Sequence, residues 1–175
     1  MMIRSEKKKG NIRMAKKAAY CGMLIALAMI FSYVEALIPI NFGVPGIKLG
    51  LANLVVLYGL YMMNPAEVLM VSVSRILLMG FMFGNGMSII YSLAGGLLSF
   101  AVMLLLIRTK AFSEIGISIA GGVSHNIGQI LTAAVVLRSP QLFYYLPVLI
   151  VSGTITGALM GIISQRILII LKKAK

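Results

Sequence analysis

Three residues with the capacity for chemistry sit in otherwise apolar stretches of this chain: Lys48, Arg75 and His125. An ionisable group inside a membrane span costs about 3 kcal/mol even on the mildest scales unless it is paired or hydrated, so each marks a candidate site. All three are cations or can become cations, which suits a ligand carrying a carboxylate or phosphate. The amides of Asn53, Asn126 and Gln129 would add directional hydrogen bonds, Gln129 lying one helical turn from His125. Glu35 and Asn85 are the other polar groups near the same depth. Plainer roles stand beside these. Lys48 can snorkel to the interface, Arg75 can pair structurally with Glu35, and His125 and Gln129 can simply bond neighbouring helices.

The chemistry that is missing narrows the reading further. The chain has four acidic residues and all are glutamate. It carries no Walker A motif, no Gly-x-Ser-x-Gly, no His-Glu-x-x-His and no cysteine pair, Cys21 being alone. A P-loop nucleotide site, an aspartate–magnesium cluster for diphosphate chemistry and a cysteine metal site are therefore excluded. No catalytic residue, metal or cofactor is expected, and the chain reads as a non-enzyme, with an accessory role to an enzyme left open.

Those residues must be positioned by elements that live in lipid. Of the 175 residues, 60% are hydrophobic and 11% charged, and mean hydropathy is +1.01. A soluble domain of this size has too few interior positions to hide that surface. The formal net charge is +12, from 16 basic and 4 acidic residues. The basic residues gather at the chain ends and in short loops without a nucleic-acid-reading motif, so the expected counterpart is a lipid headgroup and not nucleic acid. No cleavable signal peptide is expected, since Ser5 to Lys17 is a solvated basic segment followed by an overlong apolar run.

Six spans of roughly 20 residues are predicted: Lys17–Pro39, Gly46–Met63, Pro65–Phe83, Met87–Ile107, Glu114–Leu137 and Leu142–Leu171. They form one domain over 17–175, preceded by a basic cytoplasmic tail over 1–16. Asn64-Pro65-Ala66-Glu67 reads as an N-cap, a proline at the first helical position and a carboxylate at the third, which makes a tight hairpin. The segment 41–46, with Gly84-Asn85-Gly86 and Arg138-Ser139-Pro140, supplies the other breaks. The last segment exceeds a span and is expected to tilt or protrude.

With six spans both termini share a side with the loops after the second and fourth helices. That side holds seven basic residues from Arg4 to Lys17, with Arg108, Lys110 and four more from Arg166 to Lys175. The other holds Lys48 and Arg138. The positive-inside rule then places both termini in the cytoplasm, the protein being a multi-pass component of the inner membrane. The candidate residues fall in the middle-to-outer half, Arg75 about 15 Å from the cytoplasmic end of its helix. They predict a pocket open to the outside.

Small residues four apart mark close helix contacts in lipid. Gly153, Gly157 and Gly161 lie on the last helix, and Ser88, Ser92, Gly95, Gly96 and Ser99 on the fourth. These are expected to pack the protein against itself. Ala18, Gly22 and Ala26 on the first helix are open to a membrane partner.

Lys48-Leu-Gly-Leu-Ala-Asn53, Gly95-Gly96-Leu-Leu-Ser99, Gly121-Gly122-Val-Ser-His125-Asn126 with Gln129, and Tyr145-Leu-Pro147 together resemble a bacterial family named heptaprenyl diphosphate synthase component I, also called the Gx transporter family. The resemblance runs from about Tyr20 to the C-terminus. That family is similar in size and topology to the substrate-binding S components of energy-coupling factor importers. The resemblance implies an all-α six-helix bundle with an outward-opening ligand pocket. It also implies a transmembrane coupling subunit, with its ATPases, docked on small residues of the first helix, the place of Ala18, Gly22 and Ala26. The synthase name implies instead a membrane-side accessory, because prenyl synthases hold magnesium with aspartate-rich motifs that this chain lacks.

Overall fold

The computed structural model of the chain describes residues 2–37 and 50–173, and these are helical apart from short connections. In order they are α1 (Met2–Leu37), α2 (Leu51–Met62), α3 (Pro65–Phe83), α4 (Gly86–Thr109), α5 (Glu114–Val136), a 3₁₀ turn over Pro140–Tyr145, and α6 (Leu146–Lys173). Five are long and apolar enough to cross a membrane. The predicted span ends at Pro39 and Gly46, and the turn over 41–46, lie outside the described residues. So does Lys48.

The second helix differs from its prediction. It has 12 residues, which at about 1.5 Å each is well short of a bilayer's hydrocarbon core. It is apolar on every face, with Ala52, Leu54, Val55, Val56, Leu57, Gly59 and Leu60 buried. A helix of that kind belongs in a protein interior, and α2 touches each of the other five. Its two ends are tied to α1. Gly50, in a left-handed conformation (φ 70°), precedes it and donates its N–H to Glu35 Oε1 at 2.7 Å. Beyond its other end, Lys17 Nζ meets Glu67 Oε1 at 2.8 Å. Thus α2 runs antiparallel to α1, and the Asn64 hairpin lies at the Lys17 end of the bundle.

Helix starts follow local chemistry. The Asn64 backbone N–H donates to Glu67 Oε2 at 3.4 Å, and Pro65 occupies the first turn of α3. Asn85 caps α4, its Oδ1 accepting the Ser88 N–H at 2.8 Å. Ser113 caps α5 by accepting the Gly116 N–H at 3.2 Å. The surplus length of the last predicted span resolves into the 3₁₀ turn and a 28-residue α6. At the other extreme of the chain, the basic N-terminal residues continue α1 as helix.

Close backbone approach holds α4, α5 and α6 together. A Cβ at Gly153 would lie 3.0 Å from the Gly122 carbonyl oxygen, and Cβ atoms at Gly157 and Gly161 would lie 2.7 Å from the Ile119 and Ile115 Cα atoms. On the other face of α5, a Cβ at Gly128 would come within 2.9 Å of the Gly95 Cα. Only glycine fits such contacts, and in lipid they supply the packing that hydrophobic burial cannot. Two apolar clusters complete the interior. Val56, Leu57, Leu60, Val68, Phe100, Met103 and Ile117 join α2 to α5; Cys21, Leu24 and Ala28 of α1 meet Val55 and Val71.

Candidate ligand-binding cavity

At the first turn of α2 the interior stops being apolar. A cavity of about 60 Å³ lies there, and every one of the six helices or its N-cap lines it. Glu35 comes from α1, Gly50 and Asn53 from the start of α2, and Arg75 from α3. Ser92 comes from α4, His125 and Asn126 from α5, and Thr156 from α6. Such a volume holds a few waters or a compact polar group.

Arg75 is the strongest feature. Its Nη1 donates to Ser32 Oγ at 2.9 Å, while its Nε is buried without a hydrogen-bond partner among the described residues. A buried guanidinium N–H left unsatisfied is costly, and a ligand acceptor or an ordered water would relieve it. Glu35 is close enough to attract the guanidinium while its Oε1 accepts the Gly50 N–H. The described lining sets the Arg75 guanidinium and the His125 imidazole beside one carboxylate, that of Glu35, while Lys48 lies outside the described residues.

The other predicted residues divide. Asn53 and His125 line the cavity with Arg75. The His125 ring and carbonyl press against Gly95, where an added Cβ would meet the carbonyl oxygen at 2.7 Å. Asn126 lines the cavity too, but its Nδ2 donates to the Leu149 carbonyl at 2.8 Å, so part of its capacity clips α5 to α6. Gln129 lies instead on a neighbouring, mainly apolar groove of about 320 Å³ between α4, α5 and the start of α6. Asn85 is engaged in capping α4. Sequence reasoning missed Ser32 as a site residue, although it sits one turn before Glu35 on the same face of α1. It also assigned Ser92 to packing alone and passed over Thr156, because a small hydroxyl at a helix interface has the same sequence signature in either role.

Among the described residues no group of three His, Cys, Asp or Glu side chains could hold a metal ion. The arrangement can bind and orient a small polar group within the bundle. Far from it, Ala18, Gly22 and Ala26 are exposed on α1, and a Cβ added at Gly22 would meet nothing within 4 Å.

Fold and cavity together define a multi-pass α-helical membrane protein with a polar chamber at its centre. The chain matches the model of the family described as heptaprenyl diphosphate synthase component I over residues 24–167, and it belongs to that family. No curated protein and no solved structure matches it.

Proposed function

We propose that this chain binds an anionic or amphipathic small molecule from outside the cell, as a substrate-binding, S-component-like subunit of an uptake transporter. The observation that carries the reading is the convergence of all six helices on one cavity containing a buried Arg75 Nε with no hydrogen-bond partner among the described residues. A bundle built only as an anchor has no reason to keep a guanidinium at that depth. In this reading Arg75 is the main anion contact, Asn53, His125 and Asn126 orient the ligand, and Gln129 and Lys48 act nearer the mouth. The exposed small-residue face of α1 is the docking surface for a transmembrane coupling subunit that carries ATPases. The test is native mass spectrometry of detergent-purified protein. A small molecule should be retained by the wild type and lost from Arg75→Ala with the fold intact, its affinity falling by about 2–5 kcal/mol. Retention unchanged by the substitution would end the reading.

Both termini are cytoplasmic in this proposal. A cysteine at Gly86, where an added Cβ meets nothing within 4 Å, should react with a membrane-impermeant thiol probe added from outside, and one at Lys110 should not. Cys21 is buried and supplies a silent background. The reverse labelling pattern would invert the topology.

A second reading rests on the family's description: a non-catalytic membrane component associated with heptaprenyl diphosphate synthase. It predicts co-purification with a soluble prenyl synthase, where the transporter reading predicts an ATP-hydrolysing module. On either reading the isolated chain should make no prenyl diphosphate from isopentenyl diphosphate, an allylic primer and magnesium, for want of metal-bridging aspartates.

A further inference from the structure

We infer that the groove between α4, α5 and the start of α6 is a second binding site, for a neutral aromatic molecule carrying a hydrogen-bonding oxygen. This goes beyond the reading of the Arg75 cavity and does not depend on it. The groove, about 320 Å³, has the size of a small ligand pocket, whose ordinary range begins at about 300 Å³. It starts at Ser88, Leu137 and Leu142, close to the ends of their elements, and reaches Ser92 and Gln129. Each of these two lies about 10 Å along its helix from that end. Ile130 and Leu149 on its walls are 8% and 5% exposed, so the groove is cut into the protein's interior.

Two features of the lining define the occupant. The first is charge: none of the described residues that line the groove is ionisable at neutral pH. An ionic ligand would lie there without a counter-charge, a cost that a neutral one does not meet. The second is hydrogen bonding. Ser88 spends its hydroxyl on the α4 cap, but Ser92 and the Gln129 carboxamide have no hydrogen-bond partner among the described residues. The Gln129 stem is held against Gly95, where an added Cβ would come within 2.8 Å of its Cγ. The carboxamide is thus fixed at a depth where a hydrocarbon tail would leave its donors and acceptor unpaired. An oxygen on the ligand pairs with it, since the amide both donates and accepts. Tyr91 and Tyr145 set rings beside the aliphatic walls, and a third ring packs well against them in offset or edge-to-face geometry.

The probes are phenyl trifluoromethyl diazirines that differ only at the para position, which carries a hydroxymethyl group, a hydrogen or a carboxylate. They are added to full-length protein in lipid nanodiscs. Irradiation and peptide mapping should place the alcohol's adducts on Tyr91, Leu142 and Tyr145, and the carboxylate should give none there. Gln129→Leu, which keeps bulk against Gly95, should lower the alcohol's labelling at least about threefold, to the level of the unsubstituted probe. Ala133→Phe fills the groove and should abolish the labelling, which keeps the test decisive where Gln129→Leu does not fold. Arg75→Ala should leave it unchanged. Equal labelling by the alcohol and the unsubstituted probe, insensitive to Gln129, would mean that the groove holds any apolar chain, lipid tails included, and would overturn the inference. Stronger labelling by the carboxylate would overturn it as well. Labelling that falls with Arg75 would make the groove part of the cavity's site and overturn the second site while sparing the first. Absence of groove adducts from every probe overturns the inference outright.

Discussion

Two halves of this bundle are made from the same helices and end differently. From the Lys17 end up to the first turn of α2 the centre is filled, because α2 is apolar on every side and Leu57, Met103 and Ile117 are each 1% exposed. Beyond that turn the described centre is a polar cavity, lined by Gly50 and Asn53 where α2 begins. The filled half needs only size and shape from its residues. The other half keeps Arg75, Glu35, His125 and Asn126 at a depth where each is expensive, and expensive groups persist where they perform a function. A short central helix that starts partway through the bundle is thus what separates the filled scaffold from the candidate site.

That contrast can be broken by substitution. The largest effect is expected from Gly157→Leu, because the Ile119 Cα stands 2.7 Å from the added Cβ and backbone cannot yield as a side chain does. Separation of α5 from α6 should remove the folded monomer from size-exclusion profiles. A stable monomer would show that the glycine seam is dispensable. Next comes Met103→Ala in the filled half, which should lower stability by about 2 kcal/mol, mostly the cavity left behind, while ligand retention stays unchanged. In the polar half the sign differs. Arg75→Ala removes a desolvated charge with one N–H that has no partner among the described residues, so the ligand-free protein should melt at an unchanged or higher temperature although binding is lost. Marked destabilisation would make Arg75 a structural partner of Glu35 and erase the distinction between the halves. The smallest effect belongs to Lys17→Ala. Its ion pair with Glu67 is solvent-exposed, with side-chain exposures of 59% and 23%, and its loss should leave the melting temperature unmoved. A clear shift would mean that the hairpin depends on that pair.

Much of this molecule was decided by its sequence alone. Apolar runs of span length, broken by Asn64-Pro65, Asn85-Gly86 and Ser139-Pro140, define an all-helical membrane chain because lipid leaves the backbone no other way to satisfy its hydrogen bonds. The α3 boundaries coincide with their prediction, Pro65–Phe83, since capping is a local interaction between residues three apart. The candidate site was legible as a set of costly residues, and Asn53, Arg75, His125 and Asn126 do share one cavity. Tertiary structure alone decided the rest. Hydropathy could not reveal that α2 is short and central, because an apolar residue facing lipid and one facing protein look the same along the chain. Nor could spacing reveal that Ser32 takes the Arg75 Nη1–H, that Asn126 spends a donor on Leu149, or that Gln129 belongs to the groove. Those assignments depend on how each helix is rotated about its axis, and in a bundle that rotation is set by the glycine contacts between helices, not by any one helix's own residues.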